Sequence, residues 1–182
     1  MRLRVITAAI AVLSLVPPAF ADMSTAPYAG QETRSIKALS DDDIAALREG
    51  TGMGMALAAE LNGYPGPAHV LELADKLKLT ENQLKQVTAI HDRMSAAAKP
   101  LGAELISREQ MLDQQFAKGE ITPERLTAET VEIGELQGRL RAVHLAAHLE
   151  TRALLTPEQI ALYEQLRGYT EPAMPAHHHQ HG

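Results

Sequence analysis

Two copies of one five-residue pattern, Leu-Thr-x-x-Gln, constrain this chain more than any other feature. The first copy occupies residues 79–83 and the second occupies residues 155–159. In each copy, the Thr and the Gln three positions later match a capping box, in which side chain and backbone satisfy each other's hydrogen bonds at a helix start. Proline directly after the second Thr suits the first helical position. Each copy, called a box below, therefore predicts the start of a helix.

Between the boxes, apolar and small residues recur at alternating steps of three and four, which is the spacing of a helix that packs against another helix. In the first half they are Leu84, Val87, His91, Met94, Ala98, Leu101 and Leu105. In the second half they are Leu126, Ile133, Leu136, Leu140, Val143, Ala147 and Leu154. The sequence Lys-Gly-Glu at 118–120 separates the halves. We predict an antiparallel hairpin in which residues whose numbers sum to about 240 lie opposite each other.

Three residues inside this hairpin are expected to affect the continuity of its first helix or the distance between its two helices. Pro100 lies within the first helical pattern, where its ring and its missing N–H should kink the helix or leave it broken. Gly134 and Gly138 lie within the second pattern. Because glycine has no side chain, we expect these two positions to permit close approach of the other helix.

The residues before the first box predict a helix whose central part is destabilised by glycine. Ser40 suits an N-cap, and Asp43 stands where the acid of a capping box would reach back to it. Helical spacing then continues to about Asn62. The helix either breaks or meets another backbone closely at its three glycines, Gly50, Gly52 and Gly54.

Two further short helices complete an all-α prediction. The breaker Gly-Tyr-Pro-Gly-Pro at 63–67 precedes a helix that opens on Pro67, and the helix after the second box ends at Gly168. Aromatic residues make up only 3% of the chain and Trp is absent, so the core must be aliphatic. The predicted fold class is all-α, with four to five helices in a hooked hairpin.

The first 21 residues predict a cleavable export signal. Arg2 and Arg4 precede an apolar run at 5–16, and Ala-Phe-Ala at 19–21 forms a cleavage site. The run is too short to span a membrane. We predict a signal peptide at 1–21, a flexible leader at 22–39, a helical-hairpin domain at 40–168 and a disordered His-rich tail at 169–182. The mature protein would be periplasmic, without membrane insertion.

Several classes of function are disfavoured. Removal of the signal takes away two of 17 basic residues and none of the 23 acidic ones, which leaves a net charge of −8. Such a charge argues against nucleic acid as a partner. Zero Cys excludes disulfides and thiolate chemistry. His144 and His148 have the spacing of a metalloprotease helix, but Leu145 replaces the general base, so we predict that the chain is not an enzyme.

The same two histidines are the first candidates for a metal site. His144 and His148 are four residues apart on one helix, so both rings can bind one ion. The predicted register brings His91 and Met94 to the same height. The alternatives are that the first pair is merely solvated at the edge of the core, and that His91 is a buried core histidine. The tail at 177–181 can bind Ni, Cu or Zn as a peptide.

The Gly-Met-Gly-Met run is a second, weaker candidate. Met53 and Met55 alternate with glycine there. Methionine is usually a core residue, and the same explanation applies to Met94. A thioether pair would nevertheless suit a soft ion such as Cu(I).

The boxes, the export signal and the helical hairpin together resemble the LTxxQ superfamily of small periplasmic proteins. This group includes the Spy and CpxP stress proteins and the CnrX and ZraP metal-responsive proteins. The resemblance covers residues 69–168 and implies a four-helix hooked hairpin that dimerises into a cradle. The segment at 52–73 matches neither branch.

The metal-responsive branch implies histidine ligands shortly before the second box, where His144 and His148 lie. A His pair on its first helix would be matched by His69, with Leu73 at the second position. We therefore predict a periplasmic protein of metal or envelope-stress response that binds Zn, Ni, Co or Cu through these residues, with His91 and Met94 as further ligands. The alternatives are an ATP-independent chaperone for unfolded clients and a helical adaptor for a membrane-anchored regulator. A homodimer is expected in each case.

Overall fold

The computed structural model describes residues 26–170, and the described part of the chain is helical without a strand. A 3-10 helix at Gln31–Thr33 is followed by α1 (Asp41–Glu49), α2 (Leu57–Glu60), α3 (Pro67–Glu72), α4 (Glu81–Lys118), α5 (Pro123–Leu154) and α6 (Pro157–Arg167). The all-α prediction is confirmed. No helix among these residues is long and apolar enough to cross a membrane. The predicted signal peptide and most of the predicted tail lie outside the described residues.

The chain divides into two compact units, residues 1–32 and residues 33–182, and all six α-helices belong to the second. This second unit begins before the predicted domain boundary at residue 40. Ile36 is only 3% exposed and packs in the core, with Leu39 beside it. The C-terminal end of the predicted leader at 22–39 therefore belongs to the packed unit, because the apolar side chain of Ile36 is buried there.

Helix α1 begins as its sequence predicts and ends earlier. The Ser40 side chain accepts from the backbone N–H of Asp43, and the Asp43 carboxylate accepts from the backbone N–H of Ser40. The Ser40 hydroxyl also donates to the Asp43 carboxylate, and this bond, together with the bond from the Ser40 backbone N–H, lowers the pKa of Asp43. Gly50 ends the helix in the left-handed conformation. Of the two alternatives for the three glycines, the structure has the break: the helix stops at the first of them and does not continue to Asn62.

Helices α4 and α5 form the predicted hairpin in the predicted register. Gly119 ends α4 in the left-handed conformation, and the Thr122 side chain accepts from the N–H of Arg125 to begin α5. Ion pairs across the hairpin join Arg93 to Glu150 and Arg108 to Glu132.

The expected break at Pro100 is absent, because α4 is one helix of 38 residues. Ala98 and Leu101, on either side of the proline, are buried, so packing holds both segments in the helix. Pro100 itself and Ala96 are exposed, so the carbonyl that loses its intrahelical donor lies where water can reach it. Burial of the flanking turns thus outweighs the local defect.

A first cluster, here called the hairpin core, joins α1, α4 and α5. Its buried members are aliphatic: Ile36, Ile44, Leu47, Ala98, Leu101, Leu105, Ile106, Ile133, Leu136 and Leu140. At its centre a Cβ atom placed on Gly102 would lie 2.2 Å from the carbonyl oxygen of Leu47. The prediction for Gly134 and Gly138 is wrong, because a Cβ at either would meet nothing within 4 Å. The close approach therefore uses a glycine of α4 and the backbone of α1.

A second cluster, here called the box core, lies at the open end of the hairpin. Its buried members are Val70, Leu77, Val87, Leu155 and Tyr163. Both predicted capping boxes are present, at Thr80–Gln83 and at Thr156–Gln159. In addition, Gln83 donates to the Gln159 carboxamide oxygen at 2.8 Å, and Gln159 donates back at 3.2 Å. The two boxes thus form one hydrogen-bonded unit.

Candidate metal site

The two histidines of α5 lie against the segment that connects α1 to α3. His144 is 2% exposed and His148 is 9% exposed. A Cβ on Gly52 would lie 3.5 Å from Nδ1 of His144, and a Cβ on Gly66 would lie 2.9 Å from Nε2 of His148. Glycine at position 66 therefore leaves room for the ring of His148, whereas a Cβ on Gly52 would make an ordinary van der Waals contact with His144. Both imidazoles are buried in the fold. The alternative that the pair is merely solvated at the edge of the core therefore does not hold.

His148 has a defined proton on one ring nitrogen. Its Nδ1 lies 2.7 Å from the carbonyl oxygen of Tyr64. A carbonyl oxygen only accepts, so Nδ1 must carry the proton and donate it. In the neutral ring the lone pair then belongs to Nε2, the atom that faces Gly66.

His144 makes no hydrogen bond within residues 26–170, and its Nε2 is buried without a partner. Burial lowers the pKa of His144, and the neighbouring His148 lowers it further. The ring is therefore neutral at neutral pH. A buried polar atom without a partner costs about 1–3 kcal/mol. Such an atom in a native fold calls for an explanation, such as an ordered water or an ion that binds there.

Glu60 is a buried carboxylate that sequence analysis did not single out. It is 7% exposed, and it accepts hydrogen bonds from the N–H of Gly66 at 3.1 Å, from the Tyr169 hydroxyl at 3.0 Å and from the Tyr163 hydroxyl. Burial, together with the hydrogen bond to Glu60, raises the pKa of Tyr163. Glu60 Oε2 also lies 3.7 Å from Nδ1 of His148. This carboxylate therefore joins the segment before α3 to α6 and to the ring of His148.

The signal for Glu60 in the sequence was weak. It is the one acid in the stretch Ala-Leu-Ala-Ala-Glu-Leu at 56–61. An acid at a core-facing position of such a stretch must find buried partners. Its partners come from distant residues, however, and helical spacing alone does not reveal them.

His69 lies on the same cavity as His148. The cavity has a volume of about 310 Å³, and it is lined by Gly52, Met53, Gly54, Ala56, Leu57, Glu60, His69, His148, Arg167 and Tyr169. The His69 ring is partly exposed, and its Nδ1 lies 3.0 Å from a carboxylate oxygen of Glu72. The structure thus brings one residue of α3 and one of α5 to a shared space.

His91 and Met94 lie at the predicted height but not in that space. His91 is partly exposed, with Nδ1 3.5 Å from Asp92, so it is not the buried core histidine that was considered. Met94 lines a separate groove of about 190 Å³ with Val143 and Ala147. Successive helical residues differ by about 100° around the axis, which turns the groove face of α5 away from the face of His144 and His148.

Within the described residues 26–170, no three side chains of the types His, Cys, Asp and Glu are grouped so that they could hold a metal ion. What the structure brings together is a histidine pair on α5, with His69 across a cavity from one member. A ligand role for His144, His148, His69, His91 and Met94 stays a prediction.

The geometry defines an all-helical hairpin whose two Leu-Thr-x-x-Gln boxes are paired at its open end. The family model described as "LTXXQ motif family protein" matches residues 68–167, which is more than half of the chain. The chain therefore belongs to the LTXXQ motif family, whose members are in general periplasmic proteins without enzymatic activity. Searches of the curated proteins and of the solved structures found no match.

Proposed function

We propose that this chain is a periplasmic protein of metal or envelope-stress response that binds a transition-metal ion through Nε2 of His144 and His148. The observation that carries the proposal is the Nε2 atom of His144, which is buried and has no hydrogen-bond partner. An unprotonated imidazole nitrogen is the commonest protein ligand for such ions.

The environment of His148 supports the same conclusion. A histidine that binds a metal usually donates its other ring N–H to a carbonyl or carboxylate, which fixes the tautomer and the ring orientation. His148 donates from Nδ1 to the Tyr64 carbonyl, with Glu60 close to the same atom. Its Nε2 is therefore prepared for an ion before any ion binds.

The His144 ring supports the proposal through its charge. Because burial lowers its pKa, the ring needs no deprotonation to bind an ion at neutral pH. Zn, Ni, Co and Cu all accept imidazole ligands, so two histidines alone do not choose among them. His69 and water would complete the coordination.

Calorimetric titration with each of these four ions tests the proposal. The full chain should carry Gln in place of the four tail histidines, His177, His178, His179 and His181, so that the tail does not bind. We expect saturable binding with Kd below about 1 μM. His144→Ala and His148→Ala should each weaken it by at least about tenfold, because each removes one ligand.

His91→Ala is the matched control, since this partly exposed histidine lies outside the cavity and should leave binding unchanged. Circular dichroism should show that every variant keeps its helix content. Absence of binding in the parent chain, or equal loss on changing His91, would refute the proposal.

A second candidate function, an ATP-independent chaperone, is favoured by apolar side chains that α4 and α5 leave in solvent. These are Leu84, Met111, Phe116, Leu126, Val131 and Leu149. Exposed apolar surface is what a holding chaperone offers to an unfolded client. Suppression of client aggregation by the metal-free chain, undiminished by His144→Ala, would support this alternative. Equal suppression without any metal binding would make it the better one.

A further inference from the structure

One methionine beside the histidines has an unusual backbone. Met53 has a φ of 46°, one of two positive values at non-glycine positions within residues 26–170. Gly54, which follows it, is also left-handed, with a φ of 75°. A residue other than glycine rarely adopts this left-handed backbone conformation unless the surrounding structure requires it, and such residues cluster at functional sites. The left-handed backbone conformation of Met53 therefore needs an explanation.

Packing explains one of the two methionines in this run and not the other. Met55 is partly buried and packs against the hairpin core. Met53 is 41% exposed and lines the cavity that His148 and His69 share. The usual explanation of a methionine, that it fills the core, thus holds for Met55 only.

The donors in this cavity are soft or intermediate in character. The thioether of Met53 and the imidazoles of His148 and His69 line it, while Gly52, directly before Met53, contacts the ring of His144. Glu60 also lines the cavity, but two tyrosine hydroxyls and a backbone N–H occupy its oxygens. Arg167 lies 3.8 Å from one of the same oxygens, so most of the charge and hydrogen-bonding capacity of Glu60 is already paired within the protein, which leaves the sulfur and nitrogen donors.

This chemistry distinguishes among the ions that two histidines alone would accept. Thioether sulfur is a soft ligand and suits Cu(I), which is a soft ion. We propose that the cavity between α3 and α5 takes Cu(I), with the sulfur of Met53 as a ligand beside the imidazoles of His148 and His69. This proposal rests on the proposed function and names the metal for a site that shares His148 with it.

Titration with Ag(I), a redox-inert probe of Cu(I) sites, tests the inference. The full chain with the four tail histidines changed to Gln is titrated with silver nitrate in chloride-free buffer, and with Zn(II) in parallel. Met53→Leu conserves volume and removes the sulfur. It should weaken Ag(I) binding at least tenfold and leave Zn(II) binding unchanged. Competition for Cu(I) against a chromophoric chelator, under anaerobic conditions, should follow Ag(I).

Met55→Leu is the matched control, because it removes a neighbouring sulfur that packs in the core. It should alter the affinity for neither ion. Labelling the methionine methyl groups adds a direct readout, since Ag(I) should shift the methyl resonance of Met53 and not that of Met55. Thermal unfolding of both variants checks that each one folds.

The outcomes separate this inference from the proposed function. If Zn(II) binds through His144 and His148 while Met53→Leu leaves Ag(I) and Cu(I) binding intact, the thioether ligand is refuted and the metal site stands. Equal loss of Ag(I) binding in Met53→Leu and Met55→Leu would also refute it. If no ion binds the parent chain, both proposals fail.

Discussion

The two cores of this molecule are built by different means. The hairpin core is aliphatic throughout and reaches its closest contact where Gly102 meets the carbonyl of Leu47. The box core contains fewer buried apolar residues, and two glutamines and a buried tyrosine add hydrogen bonds around it. Apolar packing is not directional, whereas hydrogen bonds require particular atoms at particular distances. One end of the hairpin is therefore stabilised by apolar packing, and the other end is stabilised in addition by specific hydrogen bonds.

The histidines of α5 lie between these two regions along the helix. Leu140, before them, belongs to the hairpin core, and Leu155, after them, belongs to the box core. His144 belongs to neither cluster, and its buried Nε2 has no hydrogen-bond partner within residues 26–170. The contrast between the cores predicts which substitutions the fold tolerates.

The largest effect is expected at the backbone contact of the hairpin core. Gly102→Ala places a methyl group 2.2 Å from the Leu47 oxygen, so α1 and α4 must separate. Overpacking of this kind costs about 3 kcal/mol or more when the obstacle is backbone. Urea denaturation should show the loss as a lower midpoint. An unchanged midpoint would mean that α1 does not pack on Gly102.

A smaller loss is expected when the box core loses one glutamine. Gln83→Ala removes a cap together with the hydrogen bonds that Gln83 donates to Gln159 and to the Leu154 carbonyl, which should cost about 2 kcal/mol. Because the two side chains share hydrogen bonds, a double-mutant cycle with Gln159→Ala should give a coupling of about 1 kcal/mol. Gln86→Ala is the control, since Gln86 is exposed and bonds only to Asn82. Additive losses would argue against the pair.

The polar region between the cores should make stability depend on pH. Burial lowers the pKa of His144 below its usual 6.5, so the unfolded chain binds this proton more readily than the folded one. The free energy of unfolding should therefore fall as the pH falls from about 7 towards the lowered pKa, with a slope below about 1.4 kcal/mol per pH unit. Metal-free protein should be used. His144→Leu should flatten this part of the profile.

The smallest effect is a gain. Gly134 lies in α5 with nothing within 4 Å of where a Cβ would be. Gly134→Ala should therefore stabilise the chain by up to about 1 kcal/mol, because alanine favours the helix. Thermal unfolding measures it, and destabilisation would reveal a contact on this face. The variant keeps every titratable group, so it also serves as the control for the pH profile, which should stay parallel to that of the parent chain.

Sequence analysis succeeded where the cause is local. Thr80, Thr156 and Ser40 begin helices because each side chain bonds within its own first turn, and the register followed from two helix starts and one glycine turn. It failed where distant residues decide. Pro100 is tolerated because of the packing on either side of it.

The candidate site shows the same division. The spacing of His144 and His148 follows from the sequence. Their enclosure does not, since it comes from the segment between α1 and α3, which periodicity cannot place. Glu60 was missed because its partners lie on α6 and in the turn before α3.

The paired glutamines have a consequence for how such a chain changes over generations. Each carboxamide caps its own helix and completes the hydrogen bonds of the other, and each also donates to a backbone carbonyl near the opposite box, at Leu154 and at Leu77. A mutation in one box therefore removes part of the benefit of keeping the other. The two motifs should therefore covary: related sequences should retain both or lose both, although 76 positions separate them.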